Sequence, residues 1–342
     1  MNRTDTPAAV YMQTNETGEN RIVAYSRADD GTLSELGSYP TGGVGDGVAH
    51  LTSQGSVVLA SDRRHLLVTN ASSGDVSLFD VASGEPSLVQ RVATGPAPKS
   101  IAEHAGRAYV LNTDGPSIVG FRIADGGLEP LDDATHSLAP GSDPAQIGLT
   151  PDGSALVVTE RGTNAIALYP VDGAGRLGEP LVQPSSGPTP YGFAFTRGGT
   201  LVVTEAFGAE VGRAAASSYV VDGGSITPVS RSVGNGRSEI CWAVISNDDR
   251  YAFTTNFADG AVSRYAVADD GTLTLEDATA GIAVDGQTGL RDEGLSSNGR
   301  FLYAIDADSR RVFGWAVDPN GSLSPIGAWD GLPATVAGLA AS

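Results

Sequence analysis

The chain has 342 residues, 40% of them hydrophobic, with 45 glycines and 19 prolines, a composition suited to many short strands joined by tight turns. Its formal net charge is −19, and Lys99 is the one lysine among 21 basic residues, a balance that repels phosphate backbones and anionic lipid and speaks against nucleic-acid and membrane partners. The single cysteine, Cys241, rules out a disulfide framework. With no apolar run near the roughly 18 to 20 residues of a membrane span and no signal-like start, a cytoplasmic protein is expected.

From the N-terminus, Val10 to Asn15 is a short β-branched and aromatic run that stops on a polar residue. The run returns as Leu66 to Asn70, Ala108 to Asn112, Leu156 to Glu160, Leu201 to Glu205, Tyr251 to Asn256 and Leu302 to Asp306. The polar stops are 42 to 55 residues apart, and the step from Asp306 through the C-terminus back to Asn15 falls in the same range. A spacing that closes across the termini, in all-strand units of this length, belongs to propeller blades. The expectation is one all-β domain over residues 1–342, a seven-bladed β-propeller of four-stranded antiparallel blades.

One blade reads in full from Val57. Val57 to Ala60 is the inner strand, Asp62 to His65 a turn, Leu66 to Asn70 the second strand, and Asp75 to Val81 an alternating third strand. Leu88 to Ala93 is the outer strand, and Thr94 to Pro98 returns the chain to the axis. Elsewhere third strands are expected at 21–26, 117–123, 165–171, 217–221, 261–267 and 311–317. Leu33, Leu128, Leu177, Ile226, Leu273 and Leu323 should each open an outer strand. The sequence starts on a second strand and ends on Val336 to Ala340, a first strand with nothing after it. The C-terminal strand should therefore pair beside Val10 to Asn15 and close the ring. No helix longer than a turn or two is expected.

The blade grammar of Ser296 to Asp306 followed by Val312 to Leu323, and of Arg250 to Asn256 followed by Gly260 to Leu273, resembles that of the seven-bladed β-propeller lactonase family. That family includes propeller-type 6-phosphogluconolactonases and fungal carboxy-cis,cis-muconate lactonizing enzymes. Its most recognisable functional stretch is Pro-Arg-His, then Pro-Asp-Gly, then a strand ending Asn-Glu. Here Pro144-Ala145-Gln146, Pro151-Asp152-Gly153 and Val157 to Glu160 stand in those places. The Pro, the turn and the Glu match, whereas Ala145 and Gln146 replace the Arg and the His. Gln cannot act as a general base, so the family's activities transfer to this chain only weakly.

In a propeller, the loops entering the inner strands and those leaving the second strands share one face. The Asn members of the polar-stop ring read as a fold signature, bonding the following turn. Glu160 and Glu205 break that pattern with longer acids and are candidate catalytic carboxylates, with Glu239 a third. His50 is the histidine expected at the mouth, in the long loop Gly42 to Ser56. His65 and His104 are placed in turns on the opposite face and His136 on an outer strand. The densest chemistry is Arg237-Ser238-Glu239-Ile240-Cys241-Trp242, with Arg237 and Trp242 assigned to substrate and Cys241 to packing. The charged loop Gly289 to Gly294 offers Arg291 as an anion holder. Arg161, Tyr191 and Gln146 complete the expected binding set. No ligand spacing for a transition metal or calcium is present, so no metal and no cofactor are expected.

Two functions of different class follow. The first is a lactonase-like enzyme, hydrolysing or forming a lactone of a small anionic sugar acid or dicarboxylate. One carboxylate would handle the proton and one arginine the charge on the carbonyl oxygen. The second is a non-catalytic propeller binding a small ligand or a protein across its face. The missing Arg-His pair favours the second, and the clustering of Arg, Glu and Trp favours the first.

Overall fold

The computed structural model describes residues 6–49, 51–124, 126–222 and 224–342. These form seven four-stranded antiparallel sheets. The second blade runs Val57–Leu59, His65–Asn70, Asp75–Asp80 and Ser87–Ala93 from axis to rim. The inner strands touch one another in succession around a closed ring, Ala337–Ala341 completing the circle between Leu290–Leu295 and Val57–Leu59. Among the described residues the one helical element is the 3₁₀ turn Phe207–Ala209, and no helix is long and apolar enough to cross a membrane.

Burial explains the recurring run. The second strands lie between neighbouring blades, so Ala155–Glu160 and Thr200–Glu205 are buried at every position, as strands covered on both faces must be. Outer strands such as Ser87–Ala93 are mostly exposed. The core is a series of layers between blades. Tyr303 and Ile305 of the seventh blade pack on Val10 and Met12 of the first. Leu156 and Val158 of the fourth pack on Tyr109 and Leu111 of the third.

The ring closes as the chain ends require. Val10 stands opposite Ala341, Tyr11 opposite Ala340 and Met12 opposite Leu339. The Ala9 N–H donates to the Ser342 hydroxyl at 2.7 Å, and the Ser342 N–H returns a bond to the Ala9 carbonyl at 2.9 Å. Gly338 has φ 66°, and a Cβ there would stand 2.3 Å from the Ser56 hydroxyl. Only glycine fits where the closing strand meets the second blade.

Three details depart from the sequence reading. Leu177 opens no outer strand; it makes an isolated bridge to Val171, and the outer strand of the fourth blade is Leu181–Pro184. The stretch expected as a charged loop, Gly289 to Gly294, is largely the inner strand Leu290–Leu295. His65 and His104 lie at strand ends, on His65–Asn70 and Pro98–His104, rather than within turns.

Deleting residues 336–342 strips the first blade of its inner strand and reopens two edges. Thermal denaturation of the truncated chain should show a melting temperature lower by about 10 °C or more. An unchanged melting temperature would contradict the closure.

Candidate functional site

Blades three to seven enter their inner strands in the same way. The residue before the strand has left-handed backbone: Ala97 (φ 53°), Asp143 (43°), Thr189 (57°), Glu239 (53°) and, as glycine, Gly289 (129°). Its carbonyl accepts a hydrogen bond from the residue after the second strand of the same blade. Thr113 bonds Ala97, Arg161 bonds Asp143, Ala206 bonds Thr189, Phe257 bonds Glu239 and Ala307 bonds Gly289, at 2.9 to 3.1 Å. A β-bulge follows, with register slipping between Ile240 and Ala243 and between Leu290 and Glu293. Bulges re-aim side chains. Here they bring inner-strand residues Tyr191, Cys241 and Arg291 to the same end of the channel as Arg161 and Phe257.

At that end lies a cleft of about 260 Å³ lined by Thr52, Tyr191, Glu239, Cys241 and Phe257, with Ala206 and Gly208 keeping it open. Arg161 reaches it through Tyr191, Nη1 standing 3.3 Å from the phenol oxygen and the guanidinium 5.0 Å over the ring. Tyr191 packs on Trp242 at 4.9 Å between ring centroids. Arg291 comes from the other side, its guanidinium 4.4 Å over the Phe257 ring. It is 8% exposed, its Nε has no hydrogen-bond partner, and the carboxylate nearest it is Asp308 at 3.9 Å. A desolvated guanidinium so loosely paired is a ready anion acceptor.

The acids beside it are perturbed by burial. Glu239 is pushed above the usual carboxylate range, against the pull of Arg291 and with help from Asp259. Asp292 is pushed up to about 7 by desolvation, the Gly338 N–H and Arg291 opposing. Glu293 is raised well above its ordinary value by burial and by Asp292. Thr255 N–H lies beside it, yet neither Glu293 oxygen closes a hydrogen bond. The Cys241 thiol is pushed up to about 12, again by burial, so it is a poor nucleophile. Among the described residues no three His, Cys, Asp or Glu side chains gather to hold a metal.

Other expected residues do not reach the cleft. Glu205 is spent on its blade: Oε1 accepts from Gly187 N–H (2.8 Å) and the Ser217 hydroxyl (2.6 Å), and Oε2 from the Ser232 hydroxyl (2.7 Å). Glu160 is buried and accepts from the Thr163 hydroxyl at 2.6 Å, while Arg161 pairs with Asp143 instead. Both acids therefore do what the asparagines do; Asn256 donates to Ala261 O and the Ser263 hydroxyl. Gln146 bonds the backbone of Phe193 with both ends of its amide. Arg237 lies outside the cleft wall, in contact through its backbone with Asn235 and Ala214. His50 lies outside the described residues. Phe257 was missed by sequence reasoning, although it follows the polar stop Asn256 as Arg161 follows Glu160. A wider hollow of about 560 Å³ opens on the opposite face beside Asp152 and Arg197. Two of its polar groups are committed: Asp152 accepts from Thr150 and Ser154, and Arg197 pairs with Asp249.

A family model described as "Lactonase, 7-bladed beta-propeller" matches residues 98–207 and 205–336. Solved structures share the fold. One from Bacteroides fragilis, described as a "putative 6-phosphogluconolactonase", is 20% identical with a TM-score of 0.75, covering 100% of this chain and 99% of that one. One of the same description from Bacteroides uniformis is 18% identical with a TM-score of 0.76, covering 97% and 99%. The periplasmic gluconolactonase of Pseudomonas aeruginosa is 18% identical with a TM-score of 0.74, covering 98% of each chain. No curated protein sequence matches.

Two outcomes follow for stability. Glu205→Ala strands Gly187 N–H and two hydroxyls, and urea denaturation should show a loss of about 2–4 kcal/mol. For Asp292 the folded value is raised, so between about pH 4 and 7 the folded chain keeps a proton that the unfolded chain has released. Stability should fall with rising pH across that window, by at most about 1.4 kcal/mol per unit from this group. Denaturation series at several pH values should show a shallower fall in Asp292→Asn.

Proposed function

The chain belongs to the seven-bladed β-propeller lactonase family, and on that footing we propose that it hydrolyses the lactone of a small anionic sugar acid at the mouth cleft. Arg291 is the observation that carries this reading: a buried, loosely paired guanidinium at a cleft whose rim holds a carboxylate of raised pKa. In an acidic chain, such a cation is kept out of ordinary ion pairs for a ligand's charge.

Glu239 is the general base. It takes a proton from water as the water oxygen bonds to the lactone carbonyl carbon. The carbonyl oxygen becomes an oxyanion, which Arg291 stabilises. As the intermediate collapses, the bond from the carbonyl carbon to the ring oxygen breaks, and the proton passes from Glu239 to that oxygen as it leaves as an alcohol. Arg161, held by Asp143 and Tyr191, meets the substrate's own anionic group with its remaining N–H donors, and Trp242 backs the Tyr191 ring. The reaction requires no cofactor. Lactone formation from an unsaturated dicarboxylate would use the same pair, with a proton donor adding to the double bond. The binding-module reading draws on a specific observation: Glu160, Glu205 and Gln146, three of the residues expected in the site, are all tied into the frame.

A pH-stat assay on aldonolactones with and without a phosphate tests the proposal. Glu239→Gln should lower kcat by about 100-fold or more with KM within about threefold. Arg291→Ala should lower kcat/KM by about 100-fold on both lactones, and Arg161→Ala should raise KM for the charged lactone alone. The acid limb of kcat/KM should lie above the usual carboxylate range, because Glu239 works only when ionised. Binding without turnover by the wild-type chain would favour the binding module and end the hydrolase assignment.

A further inference from the structure

The second blade is the odd one at the mouth. Its inner strand, Val57–Leu59, is three residues long, whereas Ile240–Ile245 and Leu290–Leu295 have six. The mouth-side half is replaced by Leu51 to Gly55, which leaves its own blade and crosses the channel. Leu51 is fully buried and packs with Ala71 and Ala337. The Ser53 hydroxyl donates to the carbonyl of Ala145 in the fourth blade. Ile101 of the third blade donates its N–H to Gly55 O at 2.8 Å, and the Ser100 hydroxyl donates to Gln54 O. Gln54 spans furthest. Its Nε2 donates to Ala243 O at 2.9 Å and its Oε1 accepts from Ala243 N–H at 3.3 Å, in the sixth blade.

The slot is shaped for this crossing. A Cβ on Gly192 would stand 2.6 Å from Gln54 Oε1 and 2.6 Å from Cys241 O. Leu51 and Thr52 carry φ values of 52° and 53°, strain that persists only where surrounding contacts fix it. Thr52 emerges from the crossing as a wall of the cleft, sharing it with Tyr191 and Cys241.

We propose that Leu51 to Gly55 is a strap across the channel that makes the mouth cleft a blind pocket, with Gln54 as its positioning residue, so that the pocket admits a single sugar-acid unit and rejects one that carries a second sugar. The size limit rests on the lactone reading; the strap does not. At about 260 Å³ the cleft is smaller than the roughly 300–1,000 Å³ of pockets for drug-sized ligands.

Cys241 reports on the strap without any need for turnover. It is the chain's single cysteine, 7% exposed, in the wall of the cleft that Thr52 also lines. Its rate of modification by methyl methanethiosulfonate should rise about tenfold or more in Gln54→Ala and in Gly192→Ala, and by much less in Gln54→Glu, where the carboxylate can still accept from Ala243 N–H. Circular dichroism should stay native in all three. Unchanged labelling in both Gln54→Ala and Gly192→Ala, with native spectra, overturns the strap. Gluconate, an open-chain sugar acid, should slow labelling of the wild type, and lactobionate, which carries a galactosyl ring on the gluconate chain, should not. Gln54→Ala should let both protect. Equal protection of the wild type by both, or by neither, overturns the size limit and leaves the strap result standing. Absence of turnover on every lactone would count against the hydrolase reading alone.

Discussion

A glutamine amide can stand in for a missing strand, and the mouth of this propeller depends on that substitution. Inner strands of neighbouring blades converge on the axis but lie in separate sheets, so their bulged segments have backbone groups with no ladder partner. Such groups, once buried, need a partner. Gln146 supplies both halves of a peptide to Phe193, donating to its carbonyl at 3.0 Å and accepting from its N–H at 2.7 Å. Gln54 does the same for Ala243 from across the ring. Threonines complete the set. The Thr159 hydroxyl donates to Tyr191 O and the Thr204 hydroxyl to Cys241 O, both at 2.6 Å and both into the next blade. The bulges that aim Tyr191 and Cys241 are thus held by side chains of the preceding blade.

This frame separates acids bound into the fold from an acid left at the cleft. Glu205 has three donors on two oxygens, each from its own blade or its closing loop. Its burial raises its pKa even so, which shows that a perturbed carboxylate is not by itself a catalytic one. Glu239 differs in position rather than in chemistry. It occupies the left-handed site before an inner strand, where its backbone carbonyl ties down Phe257 and its side chain is left at the rim of the cleft.

The ring was legible because its signal is long-range and redundant. Seven runs and their near-even spacing outvote any one worn strand, so the early stop at Pro170 and the late outer strand at Leu181 changed nothing in the blade count. The threonine before five of the seven polar stops was visible, as in Val158-Thr159-Glu160 and Val203-Thr204-Glu205, but its partner in the next blade was not. The site was less legible for the same reason. Whether Glu160 or Glu239 faces the cleft turns on a bulge and one left-handed residue, and neither leaves a mark in composition or periodicity. The strap is harder still, since Gln54 and Ala243 lie in different blades and nothing local announces their bond.

Charge is arranged on two length scales that oppose each other. A net charge of −19 gives the chain a far field that repels an anion. That field is screened over about 10 Å in ordinary salt, whereas Arg161 and Arg291 stand against the rings of Tyr191 and Phe257, which line the cleft. Low local polarisability strengthens the short-range term and leaves the long-range one to the solvent. On the proposed reading, an anion gains nothing from the surface on approach and is favoured only once it is desolvated against the two guanidinium groups. On that reading, selection falls to the shape of the pocket and the placement of those two groups, not to the charge of the protein as a whole.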